Sequence, residues 1–79
     1  MSELVAEAHR LINAASAAIA ASTREPPSTS TAMLARIIVT EAKKQRPHDT
    51  AIQSIDLEGN ILDWNEINAA MNVIVRALD

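Results

Sequence analysis

Apolar side chains recur at three- and four-residue intervals over three long segments of the chain, which predicts three amphipathic helices. The first helix is expected from about Ser2 to Ser22, with an apolar stripe made of Leu4, Ala8, Leu11, Ile12, Ala15, Ala18 and Ile19. Its second half consists almost entirely of Ala and Ser. This composition reflects either helix propensity alone or a close contact with another helix, in this chain or in a second copy.

A proline-containing connector separates the first helix from the second. Residues 23–30 include Pro26 and Pro27, which cannot continue a helix, followed by Ser and Thr residues that suit an N-cap. The second helix is expected over about 31–46, and Pro47 ends it. Its predicted buried face consists of Met33, Leu34, Ile37, Ile38 and Glu41 or Ala42, with Val39 beside it.

The third helix is expected over about 64–78. Asp63 and Glu66 have the spacing of a capping box, with Asp in place of the usual Ser or Thr. The apolar face that follows contains Ile67, Ala70, Met71, Ile74, Ala77 and Leu78, and it is widened by Val73 and Val75. Such a face is typical of a core helix, and in so small a protein also of a partner-binding surface.

The segment between the second and third helices alternates apolar and polar residues, which predicts a β-hairpin over about 51–62. Gly59 and Asn60 fit the two central positions of a type II′ turn. The predicted buried face contains Ile55, Leu57 and Leu62, and the solvent face contains Asp56, Glu58 and Asp63, with Ile61 as the exception. A longer loop, with Gly59 in the left-handed conformation after a type I turn, is the alternative.

These elements together predict one small α+β domain over residues 1–79, mostly α, in the order α-α-β-β-α. Trp64, the sole aromatic residue, follows the hairpin and is expected to anchor the core at the junction with the last helix.

The segment around Gly59 also resembles the calcium loop of the EF-hand family, in which acidic residues precede a glycine and a helix follows. The resemblance covers about a dozen positions. With Gly59 at the glycine position, the ligand positions are occupied by Ser54, Asp56, Glu58, Leu62 and Asn65. A weak first ligand, an apolar ninth position and the missing bidentate Glu depart from the family pattern. Degenerate calcium binding is therefore an alternative function, and we expect no metal site.

Composition limits what so short a chain can do. It has 79 residues, no Cys and a single aromatic side chain, so its core is aliphatic and no disulfide supports it. Small domains of this kind are commonly stabilised by association, which favours a homodimer or a partner-bound protein. No apolar run approaches the length of a membrane span, and the acidic start does not suit a signal peptide. We therefore expect a soluble cytoplasmic protein, and its size and composition suggest a protein of bacterial or phage type.

The leading functional hypothesis is a non-enzymatic protein-interaction module, such as an inhibitor, an adaptor or an assembly protein. Its expected contacts are the acidic hairpin edge (Asp56, Glu58 and Asp63), the apolar helix faces, or both. For the acidic edge, the alternative is a solvated strand protected from aggregation. The chain contains no motif for a nucleophile, a phosphate loop or a metal pair, so we expect no enzymatic activity, small-molecule substrate or cofactor.

A second hypothesis is a helical regulatory protein that contacts DNA through Lys43, Lys44 and Arg46, at the end of the second helix. Ten acidic against seven basic residues give a net charge of −3, which disfavours nucleic acid as a partner. The alternative for this basic patch is simple complementation of the helix dipole on a solvated end.

Overall fold

A computed structural model describes residues 3–22, 24–57 and 63–78, and the regular structure within these ranges is entirely helical. The helices are α1 (Glu3–Ala20), α2 (Thr29–Gln45), α3 (Thr50–Gln53) and α4 (Trp64–Leu78). The three long helices lie where the periodicity predicts them. α3 is a single turn that the sequence interpretation placed in a strand.

The core joins all four helices through aliphatic side chains. α1 packs mainly against α4, α2 packs against both of them, and α3 lies against α2 and α4. The buried cluster comprises Ala8, Leu11, Ala35, Ile38, Val39, Ala42, Ile52, Leu57, Ile67, Ala70, Met71 and Ile74. Fully buried alanines on α1 and α2 allow close approach of helices, which compensates for the absence of large aromatic residues in this cluster.

The buried face of α2 is rotated relative to the predicted one. The fully or nearly fully buried residues are Ala35, Ile38, Val39 and Ala42, which follow the expected helical spacing. Met33 and Ile37, which the spacing predicts on the buried face, are exposed. Of the alternatives Glu41 and Ala42, Ala42 is buried and Glu41 is exposed. α2 therefore carries apolar side chains on a second face that the core does not cover.

The predicted β-hairpin is wrong, and with it the α+β fold class. Its first arm is occupied by α3, since the Asp49 carboxylate accepts a hydrogen bond from the backbone N–H of Ile52 at 3.1 Å and starts a helical turn. Ile52 is then completely buried. The predicted Gly59-Asn60 turn and the second arm lie among residues 58–62, outside the described part of the chain.

The segment after α3 is fixed by a side chain in place of a partner strand. The Nε atom of Arg36 on α2 donates a hydrogen bond of 2.9 Å to the backbone carbonyl of Leu57. The Leu57 side chain belongs to the core, with 5% of its surface exposed. One guanidinium and one apolar anchor thus hold this segment against α2 without a β-ladder.

Within the described residues, no helix combines the length and the apolar character that crossing a membrane requires.

Candidate functional site

The acidic residues predicted to share a strand edge have separate roles in the structure. Asp63 is the N-cap of α4, and its Oδ1 accepts a hydrogen bond of 2.7 Å from the backbone N–H of Glu66. Asp56 lies in the segment after α3 and faces α2 across a cavity that Arg36 also lines. Glu58 falls outside the described residues. Asp56 and Asp63 are therefore not neighbours on one side of a hairpin, because the described residues form no strand.

The basic patch at the end of α2 is divided between two sides of the helix. Lys43 is half-buried and lines a cavity of about 290 Å³ together with Arg36 and Asp56. Lys44 is exposed on an adjacent side of α2, and Arg46 is the exposed C-cap residue. The arrangement does not present the three cations as one continuous strip.

Backbone carbonyls at the C-terminal end of α2 accept hydrogen bonds from a neutral side chain. The Gln53 side-chain amide donates to the backbone carbonyls of Lys43 at 3.0 Å and of Arg46 at 3.2 Å. α3 thereby supplies donors to carbonyls that a helix end leaves unpaired.

Two other residues singled out from the sequence, Trp64 and Glu66, lie in the first turn of α4. Trp64 is its first residue and is only half-buried, whereas the described core is aliphatic. Glu66 is exposed in the first turn, and Gly59 and Asn60 lie outside the described residues. Among the residues that are described, no group of three or more His, Asp or Glu side chains could hold a metal ion.

A groove between α1 and α2 is a feature that the sequence pattern does not locate. It encloses about 390 Å³, and we call it the α1/α2 groove. Its lining consists of Glu3, Leu4 and Glu7 from α1 and of Leu34, Ile37, Ile38, Glu41 and Gln45 from α2. Leu4 and Leu34 are partly buried against the core, so they form an apolar floor.

Large exposed apolar side chains extend this groove along α2. Ile37 is 61% exposed and Met33 is 54% exposed. They are four residues apart, so they lie on one side of the helix, one turn from each other. Single exposed apolar residues are ordinary on protein surfaces, but a contiguous apolar surface next to a groove is typical of an interaction site.

Carboxylates surround the apolar part of the α1/α2 groove on both walls. Glu3 and Glu7 belong to the α1 wall, and Glu41 belongs to the α2 wall. Glu7 Oε1 forms a salt bridge of 3.0 Å with Nη1 of Arg10, which lies outside the lining. Neither Glu3 nor Glu41 has a salt-bridge partner among the described residues. The groove is thus apolar at its base and negatively charged at its rim.

No family model, curated protein or solved structure matches this chain. The chemistry of the described surface is therefore the basis for assigning a function.

A signal for the groove was present in the sequence. α2 has apolar residues at positions 32, 33, 34, 35, 37, 38, 39 and 42, which surround more of the helix than one core-facing stripe needs. That excess indicates a second apolar face. The sequence does not show which face the core covers, because this depends on how α1 and α4 pack against α2.

Proposed function

We propose that this chain is a protein-interaction module that binds its partner through the α1/α2 groove and the adjacent side of α2. The observation that carries the proposal is the exposure of Ile37 and Met33 beside a groove with an apolar floor. An apolar surface of this kind is costly in water and favours coverage by another molecule.

Ile37 provides a direct test because it is separable from the core. Ile37→Gln removes the apolar surface and keeps a residue with high helix propensity, so folding should change by no more than about 0.5 kcal/mol. Ile19, on the second half of α1 and 41% exposed, provides the matched control through Ile19→Gln.

The experiment is affinity capture from native lysate followed by mass spectrometry, with the wild-type protein and both variants as bait. We expect Ile37→Gln to lose a protein that wild type and Ile19→Gln retain in equal amounts. Capture of the same proteins by all three baits would contradict the proposal. Thermal unfolding of each variant establishes that any loss does not arise from unfolding.

A further inference from the structure

The carboxylates around the α1/α2 groove indicate which chemical class of partner fits it. Building on the proposed function, we propose that the occupant is an amphipathic helix of another protein, whose apolar stripe is flanked by Lys or Arg on both sides. The shape and the charge of the groove support this assignment separately.

The shape favours a helix as the occupant. The groove lies between two helices, and a third helix can pack its side-chain ridge between them. Met33 and Ile37 are one turn apart on α2, which matches the spacing of apolar residues along a second helix lying beside it. Leu4 and Leu34 at the floor would receive the apolar stripe of that helix.

The charge favours basic flanks on the occupant. Glu3 on one wall and Glu41 on the other are both exposed and lack salt-bridge partners among the described residues. No Lys or Arg is present in the described lining of the groove. Lys44 follows Glu41 by three residues and is exposed, but the two do not form a salt bridge. A cationic residue on each side of the occupant would face a carboxylate on each wall.

Within residues 3–22, 24–57 and 63–78, a second copy of this chain offers no helix whose exposed apolar stripe has basic residues on both sides. Among the described basic residues at the end of α2, Lys43 lines the opposite cavity with Asp56, and Arg46 lies beyond the helix. Lys44 follows Ile37 by two turns, so it lies at one end of the apolar side of α2 and does not flank it on both sides. The exposed part of α1 around Ile19 has no basic residue between Arg10 and Arg24. The described surface therefore favours a different protein as the source of the helix.

The test uses two synthetic peptides of the length of α2, each with Leu in an amphipathic helical pattern. One has Lys at all flanking positions, and the other has Glu there. Binding of each labelled peptide to the full chain is measured by fluorescence anisotropy, at low and at physiological salt. Sedimentation of the protein alone is measured first.

The charge variant is Glu3→Gln combined with Glu41→Gln. Its matched control is Glu25→Gln combined with Glu66→Gln, which removes the same total charge from exposed positions outside the groove. Comparison of the two double variants separates the rim carboxylates from the net charge of the chain.

We expect the Lys peptide to bind at least about tenfold more tightly than the Glu peptide, with an affinity that falls as salt increases. The double variant Glu3→Gln with Glu41→Gln should weaken binding of the Lys peptide about fivefold, and Ile37→Gln should weaken it about tenfold. The control double variant should leave the affinity for the Lys peptide unchanged. Equal binding of both peptides, with loss on Ile37→Gln, would overturn the basic occupant and leave the proposed function intact.

Two other outcomes would also overturn the proposal that a basic amphipathic helix of another protein occupies the groove. The first is that neither peptide binds the wild-type protein at all, while the partner capture described above still depends on Ile37. The second is self-association of the wild-type protein that Ile37→Gln abolishes, which would make a second copy the occupant. If Ile37→Gln leaves peptide binding, partner capture and self-association unchanged, the proposed function itself is contradicted.

Discussion

Arg36 connects two parts of the chain that lie far apart in the sequence. Its Nε atom donates to the carbonyl of Leu57, 21 residues later in the chain, in a partly buried environment. Hydrogen bonds from charged groups are stronger than neutral ones, and the loss of such a donor leaves a carbonyl unsatisfied. Arg36 thus positions the segment after α3 together with the buried Leu57 side chain.

Arg36→Met tests this role, because Met keeps an apolar stem and a high helix propensity but has no donor. We expect the free energy of unfolding to fall by about 1–2 kcal/mol in urea denaturation. Arg24→Met, in the exposed connector, is the control and should change it by less than about 0.5 kcal/mol. Equal unfolding midpoints for the two variants would show that the Arg36–Leu57 hydrogen bond does not stabilise the fold.

The short helix α3 has a larger structural effect than its four residues suggest. Ile52 inserts into the core, and the Gln53 side chain donates to two carbonyls at the end of α2. α3 therefore connects α2 and α4. Its apolar contact is the burial of Ile52 in the core, and its polar contact is the pair of hydrogen bonds from Gln53 to the end of α2.

Ile52→Ala should lower the free energy of unfolding by about 2–5 kcal/mol, because a fully buried side chain leaves a cavity. Ile52→Val removes one methylene group and should cost about 0.5–1.5 kcal/mol, which keeps the series measurable if the Ala variant is barely folded. Ile37→Ala, the exposed counterpart on α2, should cost less than about 0.5 kcal/mol. Similar losses at positions 52 and 37 would contradict the assignment of Ile37 to the surface.

The long helices follow from the sequence because each repeats its apolar spacing over several turns. The face of α4 is the clearest case, since Ile67, Ala70, Met71 and Ile74 are both predicted and observed as buried. The Asp63 cap at its start is also observed, as the hydrogen bond to the Glu66 N–H shows.

The hairpin prediction is wrong because short patterns are ambiguous. The alternation of Ile55 and Leu57 covers too few residues to distinguish a strand from an extended segment held by other contacts. Asp49 after Pro47 is a helix-start signal, and it determines the local structure. The excess of apolar residues on α2 indicates a second apolar face, but the groove itself could not be predicted, because it arises only when α1 and α2 pack side by side.

The molecule as a whole combines a small, mainly aliphatic core with large apolar side chains that are exposed on α2. The chain is 48% apolar with a single aromatic residue, so its large aliphatic side chains are needed for the core. Met33 and Ile37 nevertheless remain in solvent on α2. A net charge of −3 adds long-range attraction for a basic partner to the local attraction of the groove.

The most direct test of the central claim is site-specific photo-crosslinking, with a photoreactive amino acid in place of Ile37 or, as control, in place of Ile19. Both positions are exposed, so both tolerate the substitution without loss of the core. We predict that the reactive group at position 37 forms a discrete crosslink to one partner protein and that the group at position 19 does not. Crosslinking of that partner at position 19 alone, or equally at both positions, would contradict the assignment of the α1/α2 groove as the binding surface.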